Sequence, residues 1–302
     1  MQKFFFGLFL LSALFMGSFF AAKNWSLRSQ TPSRAPSFID AFRATDYPLE
    51  NRPFVIAIVG RNNGASVQKT IDSAFAQSYD NYRIVYIDDA SEDGSFDLVG
   101  DLICSSKKML RVDCVQNTEC LGHLANIARV VKECSDEEIV VVLEGEDWLA
   151  HEWVLQKLNS YYADPDLWLT YGQSLDFPSF ERGPAQPFKK EDVEESGFRG
   201  HPFVATHLKT FYALLFKKIK EADFVQQGKY LPASGDLAYM IPMLELAKSH
   251  FHYTPEVLYI HNRERVRSES SDAQVRCEKF VRSQTPYEPL LTLFAPTLLE
   301  EL

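Results

Sequence analysis

The 302-residue chain has no stripe of clustered lysine and arginine, and its formal net charge at pH 7 is -10. A nucleic-acid backbone finds no counter-charge on such a chain, so no nucleic-acid partner is expected. Also missing are the G-x-G-x-x-G fingerprint and the phosphate loop that ends in G-K-[ST]. Neither glycine-rich device for holding a nucleotide phosphate is therefore available. The five cysteines, Cys104, Cys114, Cys120, Cys134 and Cys277, are odd in number and follow no metal-ligand spacing. They read as free, half-buried thiols and leave the redox compartment open. No internal repeat is visible. Long apolar runs are absent as well, apart from "FFFGLFLLSALFMGSFFAA" between Phe4 and Ala22, about the length that crosses a bilayer as a helix.

Cleavage after Ala21 or Ala22 would put Phe19 or Phe20 where a signal peptidase wants a small residue. An uncleaved anchor over residues 1–22 is the expectation, with a signal peptide as its alternative. Lys3 precedes the run, whereas Lys23, Arg28 and Arg34 follow it. That excess favours a C-terminal part on the cytoplasmic side of the membrane; export is the alternative. Residues 23–52 mix Ser, Pro, Arg and Thr without periodicity and read as a linker.

What is present is an alternation. Apolar content of 46% suffices for a sizeable core. From "PFVIAIVG" onward, short apolar strands alternate with helical spacings: "SVQKTIDSAFAQS", "YRIVYIDD", "SFDLVGDLICSS", "LRVDCVQN", "LGHLANIARVVKEC", "EEIVVVLEG". This predicts an α/β fold with a mostly parallel sheet covered by helices on both faces. "DLWLTYGQSLDF" reads as a strand pair and residues 179–202 as a loop. "ATHLKTFYALLFKKIK" reads as an amphipathic helix, and "SGDLAYMIPMLELAKS" as a second helix bent at Pro242. "HYTPEVLYIHN" is a strand, and residues 263–302 form a polar tail.

Two acidic clusters directly follow strands, Asp88-Asp89 and Glu144-Glu146-Asp147. In open α/β sheets, ligands bind beyond the carboxyl ends of the strands, so both clusters should face one crevice. Carboxylates this close repel unless a cation, a proton or water offsets the charge. Mg²⁺ and Mn²⁺ prefer such hard oxygen donors and bridge to substrate phosphates.

The stretch "VIAIVGRNNGASVQKTIDSAFAQSYDNYRIVYIDDASEDGS" resembles the opening of the family-2 glycosyltransferases of the GT-A fold. "LEGEDWLAHEWVL" is similar to that family's metal-binding L-D-G-D-D-W-L element. The resemblance runs over about residues 53–262. It implies a nucleotide-sugar donor, by expectation a UDP-sugar, and inverting transfer to an acceptor hydroxyl on a glycan, lipid or protein. Residues 53–150 become the donor half and 151–262 the acceptor half. Gly60, Arg61, Asn62 and Asn63 of "GRNNG", with Asp88 and Asp89, would line the nucleotide pocket. Glu144, Glu146, Asp147 and a late histidine, His261, would form the metal element. Asp236 would be the general base, with an N-cap aspartate as the plain structural alternative. Arg199, His201, His207 and Lys209 would touch the acceptor or a substrate phosphate. Both acids of the D-x-D pattern are glutamates here, which lengthens each donor by a methylene and bears on the choice of Mn²⁺ or Mg²⁺. The same change motivates the alternative of a non-catalytic binding protein. A nucleotidyltransferase is disfavoured, because "GRNNG" supplies one arginine in place of a basic glycine-rich loop.

Overall fold

The computed structural model describes residues 50–64, 66–106, 111–264 and 271–294. β1 (Phe54–Gly60) is buried at every position, as its unbroken apolar sequence requires of a strand covered on both sides. It leads into α1 (Ser66–Phe75), β2 (Tyr82–Asp88), α2 (Ser95–Ser105), β3 (Val112–Gln116), α3 (His123–Glu133) and β4 (Ile139–Glu144). These four strands lie parallel in the order β3-β2-β1-β4, and the expected α/β alternation is present.

The second half is built differently. β5 (Trp148–Leu149), α4 (Val154–Tyr161), β6 (Leu169–Phe177) and β7 (Glu181–Arg182) precede α5 (Lys190–Gly200), which is interrupted at Gly197 with φ 65°. There follow β8 (Lys209–Tyr212), α6 (Ala213–Lys217), a 3₁₀ turn at Glu221–Phe224, and the hairpin β9 (Val225–Gln226) with β10 (Lys229–Tyr230). Gln227 and Gly228 close that hairpin with φ of 54° and 77°, the backbone of a type I′ turn. α7 (Gly235–Ala247), β11 (Phe251–Asn262) and α8 (Ser271–Ser283) complete the described chain.

β8 lies antiparallel between β4 and β6, and β11 runs parallel to β6 and antiparallel to β5. The sheet is therefore mixed, and the mostly parallel expectation applies to its first four strands only. Residues 205–220 were expected as one helix and instead contain β8 followed by the short α6. Tertiary pairing decides this: buried Thr210 hydrogen-bonds Thr170 (2.6 Å) and Tyr162 (2.9 Å) through its hydroxyl while its backbone sits between two strands. The single strand β6, with only β7 folding back on it, replaces the expected pair. Residues 179–202, expected as a loop, contain β7 and α5. α7 passes through Pro242 as one element and is buried from Leu237 to Ala247, a helix apolar all round because it sits inside the core. The polar tail contains α8, which buries Cys277 and Val281 one turn apart. Arg282 Nη1 donates to the carbonyls of Arg199 (2.6 Å) and His201 (2.9 Å), fastening α8 to the end of α5.

No helix among the described residues is long and apolar enough to cross a membrane. The Phe4–Ala22 run and the linker up to residue 49 lie outside the described residues.

Candidate active site

The parallel register brings three strand ends level: Gly60 pairs with Asp88, and Val59 with Glu144. The turns beyond them touch. Gly145 N–H donates to Val59 O (2.9 Å), and a Cβ on Gly145 would stand 2.0 Å from Asn63 Nδ2 and 2.6 Å from Gly60 Cα. Only glycine permits that approach.

The "GRNNG" turn is braced against the Asp88–Ser95 turn. Asn62 N–H donates to Ser91 Oγ (2.8 Å), Glu92 N–H to Asn62 Oδ1 (2.7 Å) and Gly64 N–H to Asp93 Oδ2 (2.9 Å). Asp88 is fully buried and accepts from Ser91 N–H (2.9 Å) and from the Ser91 hydroxyl. Asp89 is also buried. Its Oδ1 takes Leu121 N–H (2.8 Å) and Asn117 Nδ2 (2.9 Å), and its Oδ2 takes Gly122 N–H (2.9 Å). Burial opposes ionisation of Asp89, but donors from Leu121, Asn126, Asn117 and Gly122 outweigh it and keep the carboxyl below its ordinary value. The structure thus brings Gly60, Asn62, Asn63, Asp88 and Asp89 together at these turns, with Arg61 exposed. It turns both aspartates into the scaffold of the turns. Asn117 and the amides of Leu121 and Gly122 are the partners that sequence reasoning missed. They lie in the connection after β3, where an asparagine side chain and two backbone amides leave no motif to read.

The second acidic cluster is set up in the opposite way. Asp147 is 1% exposed, and both its oxygens serve β11: Oδ1 accepts Asn262 N–H (2.8 Å) and Oδ2 the Tyr259 hydroxyl. Burial pushes its carboxyl up to about 8; these two donors lower it, and the charges of Glu146 and Glu144 raise it further. Glu144 Oε2 lies 3.4 Å from His123 Nδ1. His207 stacks on Tyr259, with centroids 4.5 Å apart, and stands 5.5 Å from the His261 ring. His261 Nδ1 lies 3.3 Å from Asp176 Oδ1. Burial, with the Arg263 charge, lowers the His261 pKa, which favours the neutral imidazole that ligates metals.

A cavity of about 220 Å³ is lined by Glu144, Glu146, Asp147, His207 and His261, and by Asp236 from the first turn of α7. His123 at the start of α3 and Gln274 of α8 belong to the same lining; neither had been singled out in the sequence. Lys209, whose side chain is 1% exposed, stands behind Asp236 with Nζ 3.5 Å from Oδ2. Arg199 does not reach this cavity. It makes a buried bidentate pair with Glu245 (2.7 and 2.8 Å) and also donates to Val281 O. His201 is outside the lining too, with Nδ1 2.7 Å from Pro202 O. Of the four expected acceptor contacts, His207 alone faces the cavity.

The residues present suit a divalent cation in their chemistry. Glu144 and Glu146 are hard oxygen donors, and both ring nitrogens of His123 are buried beside Glu144 without a hydrogen bond. Asp147 differs, because β11 already occupies its oxygens. Among the described residues, no three His, Cys, Asp or Glu side chains converge on one point as they stand.

The sequence profile described as glycosyl transferase family 2 matches residues 55–218, more than half of the chain. The chain belongs to this family. Its α/β sheet is GT-A-like. It is 26% identical over 105 residues to the UDP-Glc:alpha-D-GlcNAc-diphosphoundecaprenol beta-1,3-glucosyltransferase WfaP of Escherichia coli. That alignment covers 35% of this chain and 38% of WfaP. Among solved structures it is similar to S. aureus TarS 1-349 in complex with UDP-GlcNAc, with TM-score 0.53, 13% identity, and coverage of 72% of this chain and 61% of that one. It is similar also to the mannosyltransferase PcManGT from Pyrobaculum calidifontis in complex with GDP-Man and Mn²⁺. There the TM-score is 0.50 and the identity 17%, over 77% of this chain and 64% of the other. The chain thus spans less than two thirds of each of these relatives, and the solved structures speak for the fold alone.

Proposed function

We propose that this glycosyltransferase moves a sugar from a UDP-sugar to an acceptor hydroxyl with inversion, using Asp236 as general base. The observation that carries this reading is the shared cavity, where Asp236 joins Glu144, Glu146 and His261 at the carboxyl end of the parallel strands. The names of the relatives agree with it: WfaP is a UDP-Glc transferase, and TarS was solved with UDP-GlcNAc.

Asp236 Oδ1 is turned toward its own helix, where it accepts Leu237 N–H (3.1 Å), while Lys209 supplies a buried counter-charge to Oδ2. The carboxylate is thereby held in one orientation. It takes the proton from the acceptor hydroxyl as that oxygen bonds to the anomeric carbon. The bond from that carbon to the diphosphate oxygen breaks, and its electron pair leaves with the nucleoside diphosphate. Attack on the face opposite the leaving group inverts the centre. Asp147 ties the acidic turn to β11 through Tyr259 and Asn262 and so fixes Glu144 and Glu146 at the cavity wall. Those two glutamates, with His261 and His123, would hold Mn²⁺ or Mg²⁺. Such an ion, when bound, supplies Lewis-acid charge to the leaving diphosphate. Gly60 to Asn63 and the Asp88–Asp89 turn form the floor on which the nucleoside rests.

The Phe4–Ala22 run extends this reading to an enzyme anchored in a membrane, with the catalytic part on the cytoplasmic side. The functional test is a screen of nucleoside diphosphate sugars for nucleoside diphosphate release, with and without acceptor. Turnover by the wild type that Asp236→Asn abolishes supports the reading; equal turnover by both removes Asp236 from the chemistry.

A further inference from the structure

Tyr239 lies three residues beyond Asp236 on α7, on the same face of the helix and about 4.5 Å further along its axis. β8 offers the facing surface, because Lys209 and Phe211 are two apart on that strand and share one side of it. Asp236 meets Lys209, with Nζ 3.5 Å from Oδ2. One turn on, the Tyr239 ring packs near Phe211 and Phe216, its centroid 5.8 Å from each. Helical side chains lean toward the N-terminus, which carries the Tyr239 hydroxyl back toward the Asp236 turn.

That hydroxyl has no local reason to be there. Tyr239 is 0% exposed, and its oxygen makes no hydrogen bond. A buried hydroxyl without a bond is costly, and phenylalanine would fill the same aromatic surroundings without that cost. Burial, then the charges of Asp236 and Glu144, raise the Tyr239 pKa well above the ordinary phenol value. The group therefore keeps its proton and remains a donor. Tyr259 on β11 is the partnered counterpart. It is equally buried, and burial, Asp147 and Glu144 raise its pKa too, but its hydroxyl donates to Asp147.

Asp236 lacks a firm hold on one oxygen. Oδ1 accepts Leu237 N–H (3.1 Å) and keeps a second lone pair for an acceptor proton. Oδ2 has Lys209 at 3.5 Å, longer than the roughly 2.7–2.9 Å of a bond between charged groups. We propose that Tyr239 is a positioning residue for the general base: when the donor is bound, its hydroxyl donates to Asp236 Oδ2. This rests on the reading of Asp236 as that base. Tyr239 and Lys209 then fix the carboxylate from the protein side, and Oδ1 takes the acceptor proton. Catalytic hydrogen bonds that are long in a free enzyme commonly tighten in this way when substrate binds. Tyr239 is outside the cavity lining and acts through Asp236 alone.

The test is Tyr239→Phe in the full-length protein, read by steady-state kinetics with a UDP-sugar that turns over, by UDP titration and by urea unfolding. The kcat should fall roughly tenfold or more, the weight of one hydrogen bond to a charged group. Donor KM and UDP affinity should stay as they are. Stability should hold or rise, because an unbonded buried hydroxyl has been removed. Phe216→Leu disturbs the same aromatic packing and leaves the hydroxyl, so it should lower stability with a smaller effect on kcat. Unchanged kcat in Tyr239→Phe overturns the proposal. So does a fall in kcat that comes with matching losses of stability and UDP affinity, or one that Phe216→Leu reproduces, since either marks a packing role. If Asp236→Asn turns over like the wild type, or the wild type turns over no UDP-sugar, the reading of the cavity fails first and this proposal falls with it.

Discussion

The two acidic clusters at the ends of β2 and β4 carry the same kind of charge and live in opposite surroundings. Asp89 is buried among backbone amides and an asparagine, and their donors outweigh its desolvation. Asp147 is buried with two donors and two neighbouring glutamates, and desolvation wins. Deeper burial, fewer donors and neighbouring charge together separate a cluster that calls for a cation or a proton from a structural carboxylate. The first cluster braces the turns beyond β1 and β2; the second leaves excess negative charge in the cavity that Asp236 also lines.

The largest effect expected from breaking this arrangement is at Asp236. Asp236→Asn keeps the shape and removes the base, so the transfer rate should fall by roughly 10²- to 10⁴-fold, with nucleotide affinity retained; steady-state kinetics beside a UDP titration checks both. Glu146→Ala comes next. It should abolish the metal-dependent part of UDP binding, at least a tenfold loss in calorimetry, with little change in melting temperature. Asp89→Ala should lower stability itself. It strands the Leu121 and Gly122 amides, at roughly 1–3 kcal/mol for each unsatisfied donor, and urea unfolding should read that loss.

The smallest effect is a slope with pH. Asp147 has a folded pKa of about 8, above its unfolded value, so the fold binds the extra proton and stability should rise as pH falls from about 8 toward 5 in metal-free protein. Asp147→Asn should flatten that slope. Asp89, with its value lowered, works oppositely: its stabilisation is complete above the ordinary aspartate pKa and is lost as pH drops through its folded value. Unfolding of wild type and both variants across pH 3 to 9 would separate the two.

The parallel half was legible because its strands are continuous apolar runs and its helices show clean spacing. "FVIAIVG" and "IVVVLE" are short and rich in β-branched residues, which suits buried strands, and both are strands. The later half was less legible because its elements are decided by distant partners. "KTFY" looks helical beside "ALLFKK" until β4 and β6 claim its backbone. α8 is polar along most of its length and buries little beyond Cys277 and Val281, so its periodicity is faint. The acids of the site were visible from their places after strands. Their partners were not: Tyr259 and Asn262 meet Asp147 from more than a hundred residues away, and no local pattern announces it.

In the proposed function the Glu144–Asp147 turn holds a cation that the donor diphosphate needs. The direct measurement is a calorimetric titration of the protein with UDP, with and without Mn²⁺, repeated on Glu146→Ala. UDP binding should strengthen with Mn²⁺ in the wild type and lose that response in the variant. UDP binding of equal strength with and without the ion, in both proteins, would contradict it.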